Sequence, residues 1–484
     1  MKWPIWRLSR SPLRSGSENN VDELPLAVDR SDRRPLSVQV ADELRNAATD
    51  GRLRGGDRMP SSRALAARLG VSRTVVTAAY DQLHAEGWIS GRHGSGTYLT
   101  AAPVPASNHI AAQADSDSAR ELLDLAPGAP CAEAMDSAAW RRAWRAAGDR
   151  GPSVRKERAG DPGYRAMVAE HLLRHRGLRV DQPARIIATA GTSSAVAEFA
   201  RAVLRPGDAV AIEDPGYLRA VGAFRSAGVE VVPVPMDRDG ILVESIPAHV
   251  RAVYCTPAHQ FPLGVRMPAG RRIQLVDFAR RTGAVIIEDD YDGELRYDSA
   301  PLPLLAGLAP DLVVHLGTTS KILSPTLGVG WLVAAPWIVA AVLEHRESTG
   351  AWPAPAGQLV LAELARHGDL ARHLRRLRRE MPPRRTLTVA ELGRHGLDIR
   401  GDDAGSHLVV PLPDAAAESR AIELARRRGV LLDGLARHHA GPRQAFGIAL
   451  GYTAVPRDEL PRALRIAAEC LAAAAHGTNT DPNH

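Results

Sequence analysis

The 484-residue chain predicts an α/β protein: a winged helix-turn-helix, a linker, a large domain built on a mostly parallel sheet, and a small α+β subdomain. Three observations carry this. From about residue 121 to 475, short apolar runs alternate with helical stretches, and the largely apolar runs suit strands buried on both faces of a mostly parallel sheet. Residues 36–99 hold short helical patterns separated by glycines and followed by two β-prone arms. Residues 101–120, opening Ala101-Ala102-Pro103-Val104-Pro105, lack apolar periodicity and read as a linker.

Composition narrows the class. A hydrophobic fraction of 45% and a charged fraction of 24% belong to a globular chain, and the length allows two or three sizeable cores. No stretch approaches 18 consecutive apolar residues, so no membrane span is predicted. The basic start Met1-Lys2-Trp3-Pro4 leads into Ser, Pro and Arg rather than an apolar run, which argues against a secretory signal. Residues 1–30 read as a disordered lead. Cys131, Cys255 and Cys470 are far apart and lack metal-ligand spacing. They read as reduced thiols of a cytoplasmic protein with no metal site. The net charge of +6, spread over the whole chain, does not by itself argue a nucleic-acid partner.

The elements follow in order. Val40, Leu44 and Ala47 mark a first helix, and the run from Gly51 to Pro60 is a turn. Ser61 caps a second helix over 63–69, Gly70 breaks it, and Ser72 caps a third that runs to about residue 86. Residues 87–90 and 97–99 are the arms of a hairpin around Arg92-His93-Gly94-Ser95-Gly96, the wing. Residues 31–100 carry ten Arg against seven Asp plus Glu, a small excess, so the ordered motif rather than charge points to DNA. Strands are expected at 185–189, 209–212, 229–234, 252–255, 284–287 and 312–316. After Gly330 the chain reads as helical through 395, then shows weaker strands near 406–410, 430–432 and 446–450 and a final amphipathic helix.

Lys321 follows Thr318-Thr319-Ser320, with Glu288-Asp289-Asp290-Tyr291 about thirty residues upstream. This is the set that pyridoxal phosphate chemistry requires: an amine for the imine, a carboxylate for the pyridinium nitrogen, and a phenol for the ring oxygen. Thr189-Ala190-Gly191-Thr192-Ser193 is a strand-to-helix turn able to cradle a phosphate. Three carboxylates compete for the pyridinium role. Alternation along a strand puts Asp289 and Tyr291 on one face and turns Asp290 away, toward a role in the fold.

The phrase Met59-Pro60-Ser61-Ser62-Arg63, Leu69-Gly70-Val71-Ser72-Arg73-Thr74 and Gly94-Ser95-Gly96-Thr97-Tyr98 resembles the GntR-type winged helix over about 65 residues. By that resemblance Arg63, Ser72, Arg73, Thr74 and Thr77 face phosphates and base edges of double-stranded DNA, and His93-Gly94 enters the minor groove. From residue 121 to 475 the chain resembles fold-type I aminotransferases, and the fusion resembles the MocR branch of GntR regulators. That implies pyridoxal 5'-phosphate as cofactor, with Lys321 as the imine-forming residue. It implies Gly191, Thr192, Ser193, Thr318 and Ser320 around the phosphate, Tyr217 stacked on the ring and His259 in the loop beneath it. Asp289 takes the ring nitrogen and Tyr291 the ring hydroxyl. Arg437, with Arg219, is the expected receptor of a ligand carboxylate, and a homodimer would place two winged helices on two half-sites. One position departs from the family: an arginine expected seven residues after the lysine is Gly328 here. The expected function is a transcription regulator responding to pyridoxal phosphate or an amino compound. An aminotransferase with an auxiliary DNA-binding domain, or a regulator with an empty pocket, are the alternatives.

Overall fold

The computed structural model describes residues 26–92, 96–100, 122–151, 154–297 and 303–476. The wing tip His93-Gly94, most of the lead and the linker lie outside the described residues. The chain divides into two compact units, Met1–Asp117 and Ser118–His484.

The first unit packs α1 (Leu36–Thr49), α2 (Ser62–Leu69) and α3 (Arg73–Ala85) against a hairpin of β1 (Ile89–Arg92) and β2 (Gly96–Leu99). Ser61 accepts a hydrogen bond from the Ala64 amide at 3.1 Å and Ser72 from the Val75 amide at 3.4 Å, so both expected caps are in place. Gly70 ends α2 at φ 62°, a left-handed turn that favours glycine. Val40, Leu44, Leu65, Val76, Leu83, Ile89 and Leu99 form the core, and Leu26 and Val28 pack against it.

In the second unit, β3 (Leu123–Asp124) precedes α4 (Ser137–Gly148) and α5 (Pro162–Arg176). The large sheet then takes β4 (Ile186–Thr189), β5 (Ala209–Asp214), β6 (Glu230–Asp237), β7 (Gly240–Ile241), β8 (Ala252–Cys255), β9 (Val285–Asp289), β10 (Val313–Thr318) and β11 (Gly330–Val333), in the order β4-β11-β10-β9-β8-β5-β6-β7. The run from β10 through β9, β8 and β5 to β6 is parallel, while β11 pairs antiparallel with both β10 and β4. Interleaved are α6 (Thr192–Val203), α7 (Leu218–Ser226), α8 (Ala269–Thr282) and α9 (Leu305–Leu308). The inner parallel strands β5, β8, β9 and β10 are buried on both faces, which explains their continuous apolar character, while β6 nearer the edge is only partly buried.

Then come α10 (Pro336–Thr349), α11 (Pro355–Arg366) and the long α12 (Asp369–Arg394). The small subdomain holds β12 (His407–Pro411), α13 (Ala415–Arg427), β13 (Val430–Leu431), β14 (Asp433–Gly434), β15 (Gly447–Gly451) and α14 (Leu460–Ala475). Its sheet runs β12-β15-β14, and β13 pairs with β3. Two elements differ from expectation. Residues 330–333 are a strand rather than the start of a helix, because Gly-Trp-Leu-Val fills the antiparallel slot between β10 and β4. A short strand at Asp433–Gly434 extends the small sheet. Among the described residues no helix is long and apolar enough to cross a membrane.

Candidate functional site

The parallel strands end together, and the loops leaving them surround a cavity of about 670 Å³ between the large sheet and the small subdomain, the position where open α/β sheets bind ligands. Gly191, Thr192, Ser193, Tyr217, Asp289, Tyr291, Thr318, Ser320 and Lys321 all line it. So do Arg219 and Arg437 at its mouth. His259 does not. It lies behind Tyr291, buried, with Nδ1 2.9 Å from Asp292 Oδ2.

Thr192 and Ser193 open α6, whose first amides have no partner within the helix. Gly191 has φ 122°, and a Cβ there would meet Thr318 Oγ1 at 3.4 Å. The cradle is therefore bare backbone bordered by hydroxyls, with Thr318 Oγ1 and Ser320 Oγ 3.0 Å apart. Ser193 Oγ and the Tyr217 hydroxyl are 2.9 Å apart, fixing the tyrosine over the cavity. Phe261 supports it edge-on, with centroids 5.8 Å apart.

Lys321 Nζ donates to the Gly128 carbonyl at 2.6 Å. Burial pushes its ammonium below the ordinary range, with Asp292 and Asp289 opposing, so the free amine is closer to reach than on a surface lysine. Asp289 is buried. Its Oδ2 accepts from the Tyr254 hydroxyl at 2.6 Å, while Oδ1 has no hydrogen-bond partner. Burial raises its carboxyl to about 7, opposed chiefly by the Tyr254 hydroxyl and by the nearby Thr192. Tyr291 donates to the His259 carbonyl at 2.8 Å. Asp290 turns to the other face, where Arg176 Nε and Nη2 hold it at 2.6 and 2.8 Å.

Three contributors had no signature in the sequence analysis. Gly128 sits in a loop that bears no motif. Tyr254 reads as one more apolar strand residue, although a phenol in a fully buried strand needs a partner, which was the available clue. Asp433 lines the cavity beside Arg437, and nothing in its spacing marks it.

On the winged helix, Arg63, Ser72, Arg73, Thr74 and Thr77 are all exposed. Ser72 and Thr74 hydroxyls lie 2.7 Å apart at the start of α3, and Arg73 Nε reaches Ser62 Oγ at 3.3 Å. One surface thus presents two helix N-termini, hydroxyls and guanidinium groups.

These features define a winged-helix reader joined to an aminotransferase-type module. Residues 36–99 match the family described as "Bacterial regulatory proteins, gntR family", and residues 120–463 match "Aminotransferase class I and II". The chain is 35% identical to the HTH-type pyridoxine biosynthesis transcriptional regulator PdxR of Corynebacterium glutamicum, over 90% of this chain and 96% of that one. It is 32% identical to the probable rhizopine catabolism regulatory protein MocR of Rhizobium meliloti, over 89% and 92%. The second unit is similar to the kynurenine aminotransferase of Pyrococcus horikoshii, with a TM-score of 0.66 and 27% identity over 73% of this chain and 91% of that one. The chain belongs to the MocR subfamily of GntR transcription regulators, and its winged helix is a DNA-binding domain.

Proposed function

We propose that this chain is a transcription regulator whose cavity holds pyridoxal phosphate on Lys321 and whose grip on DNA follows the occupancy of that cavity. The observation that carries the reading is the meeting of a half-buried lysine, an unpaired Asp289 Oδ1 and a bare helix N-terminus in one cavity. An orphaned buried acceptor costs stability unless a donor meets it, and a protonated ring nitrogen is such a donor.

When bound, the cofactor supplies an aldehyde that condenses with amines and an electron-withdrawing ring. Lys321 is the amine that attaches it. Asp289 Oδ1 holds the proton on the ring nitrogen, and Tyr254 keeps that carboxylate oriented. Gly191, Thr192, Ser193, Thr318 and Ser320 receive the phosphate. Tyr217 covers the ring, Tyr291 hydrogen-bonds its hydroxyl, and His259 acts through Tyr291. Arg219, exposed at the mouth and without a carboxylate partner among the described residues, meets an incoming amino compound first. Arg63, Ser72, Arg73, Thr74 and Thr77 contact the operator, with His93 and Gly94 of the wing. A cytoplasmic homodimer places two such surfaces on two half-sites. The likeness to a pyridoxine biosynthesis regulator favours the cofactor itself as effector.

Incubation with excess pyridoxal phosphate, borohydride reduction and peptide mapping test the site. The adduct is expected on the peptide carrying Lys321, and an adduct elsewhere, or none, refutes it. Operator affinity with and without cofactor tests the coupling. A second reading, an aminotransferase that also binds DNA, is favoured by the intact set of Lys321, Asp289 and Tyr291. Turnover of an amino acid with a keto acid would support it.

A further inference from the structure

Arg437 is the residue that family resemblance nominates for a ligand's carboxylate, and it lines the cavity. One edge of its fork is already engaged: Nη2 donates to Asp433 Oδ2 at 2.7 Å, and Nε lies in ion-pair contact with Asp433 Oδ1, which accepts no hydrogen bond. Asp433 is not free to leave. Its side chain is 3% exposed, it sits on β14, and His438 Nε2 lies 3.1 Å from its Oδ2. Burial works against its charge, but hydrogen bonds from His438 and Arg437 hold its carboxyl below the usual range. A ligand carboxylate that took the Nε–Nη2 edge of Arg437 would exchange one carboxylate for another there. It would also strand a buried anion with His438 alone, which is the costly way to break such a pair.

We infer that Asp433 closes Arg437 to incoming carboxylates and is the specificity-determining residue on this side of the cavity. This rests on the reading of the cavity as a pyridoxal phosphate site. An amino acid then gains nothing at Arg437 over an amine lacking the carboxylate. Arg219 remains as a cavity cation, exposed and screened by water as Arg437 is, but with no carboxylate partner among the described residues.

The test uses the full-length protein loaded with pyridoxal phosphate, titrated separately with L-alanine and ethylamine while its visible absorbance is followed. The ratio of the two half-saturating concentrations is the readout. Arg437→Ala is expected to leave the wild-type ratio unchanged. Asp433→Asn keeps the shape but removes the charge that holds the fork, and should raise the preference for L-alanine about tenfold. Adding Arg437→Ala to that variant should abolish the gain. A wild-type preference for L-alanine that Arg437→Ala removes overturns the inference. So does an Asp433→Asn protein with normal cofactor absorbance and an unchanged ratio. The comparison of wild type with Arg437→Ala needs no change at Asp433, so misfolding of the Asp433 variant does not shield the inference. Failure of the wild type to take up any cofactor would overturn the cavity reading, and this inference with it.

Discussion

Gly328 offers the most exacting test of the phosphate cradle. It ends the short turn Pro325–Leu327 at φ 59° and ψ 44°, and a Cβ there would meet nothing within 4 Å. Two residues on, Gly330 opens β11 opposite Thr318 and Thr189, where a Cβ would come within 2.9 Å of the Gly191 Cα. Position 328 is thus two residues along the chain from the cradle, and a Cβ there is unobstructed. Gly328→Arg has two separable effects. Forcing an L-residue into the left-handed region costs roughly 1–2 kcal/mol, and this falls on the free and loaded protein alike. A guanidinium donating to the phosphate contributes about 1.5–3 kcal/mol, and this falls on the loaded protein alone. Strain thus drops out of the affinity. The variant should melt earlier than wild type without cofactor, yet bind pyridoxal phosphate about ten- to a hundredfold more tightly. Absorbance titration of both apo proteins, beside thermal melts, reads the two effects independently. Equal or weaker binding by a folded variant would show that the phosphate does not sit within reach of position 328.

Three further outcomes are expected. The buried Asp289 carboxyl, raised to about 7, binds its proton more tightly folded than unfolded, so apo stability should fall as pH rises from about 4 through 7. Asp289→Asn should flatten that fall in pH-dependent melts, and an unchanged profile would contradict the burial argument. Arg73→Ala should weaken binding to the protein's own upstream DNA by about 1–3 kcal/mol at fixed salt; unchanged anisotropy-derived affinity would remove Arg73 from the interface. Ser61→Ala should destabilise the winged helix by roughly 0.5–2 kcal/mol through loss of the cap on α2, read by chemical denaturation, and no loss would show that the cap is dispensable.

Much of this was legible in the sequence for a physical reason. Parallel strands buried on both faces are continuous apolar runs, and Ser61 and Ser72 mark helix starts by a hydrogen bond that only a small polar side chain can make. The alternation that set Asp289 apart from Asp290 is a geometric property of any strand. What stayed hidden depends on distant chain segments. Residues 330–333 become a strand only because β4 and β10 leave a slot between them. Gly128 meets Lys321 from 193 residues away. Asp433 and Arg437 are four apart across a tight turn, a spacing that carries no message outside a helix. His259 was expected beneath the ring, and the fold sets it one layer back, behind the phenol of Tyr291.

The pairing of Asp290 with Arg176 bears on how the end of β9 is indexed. Glu288 accepts from the Leu305 and Ala306 amides at 2.7 and 3.1 Å, and Asp290, on the same face, fills the Arg176 fork. Between them Asp289 faces the cavity alone. Sliding the strand by one residue would aim two carboxylates at the cavity and leave one where Arg176 and the α9 amides now hold two. Neighbouring like charges, which would seem interchangeable, thereby become a ruler: each is read by a different partner, and the strand has one setting at which all three readings agree.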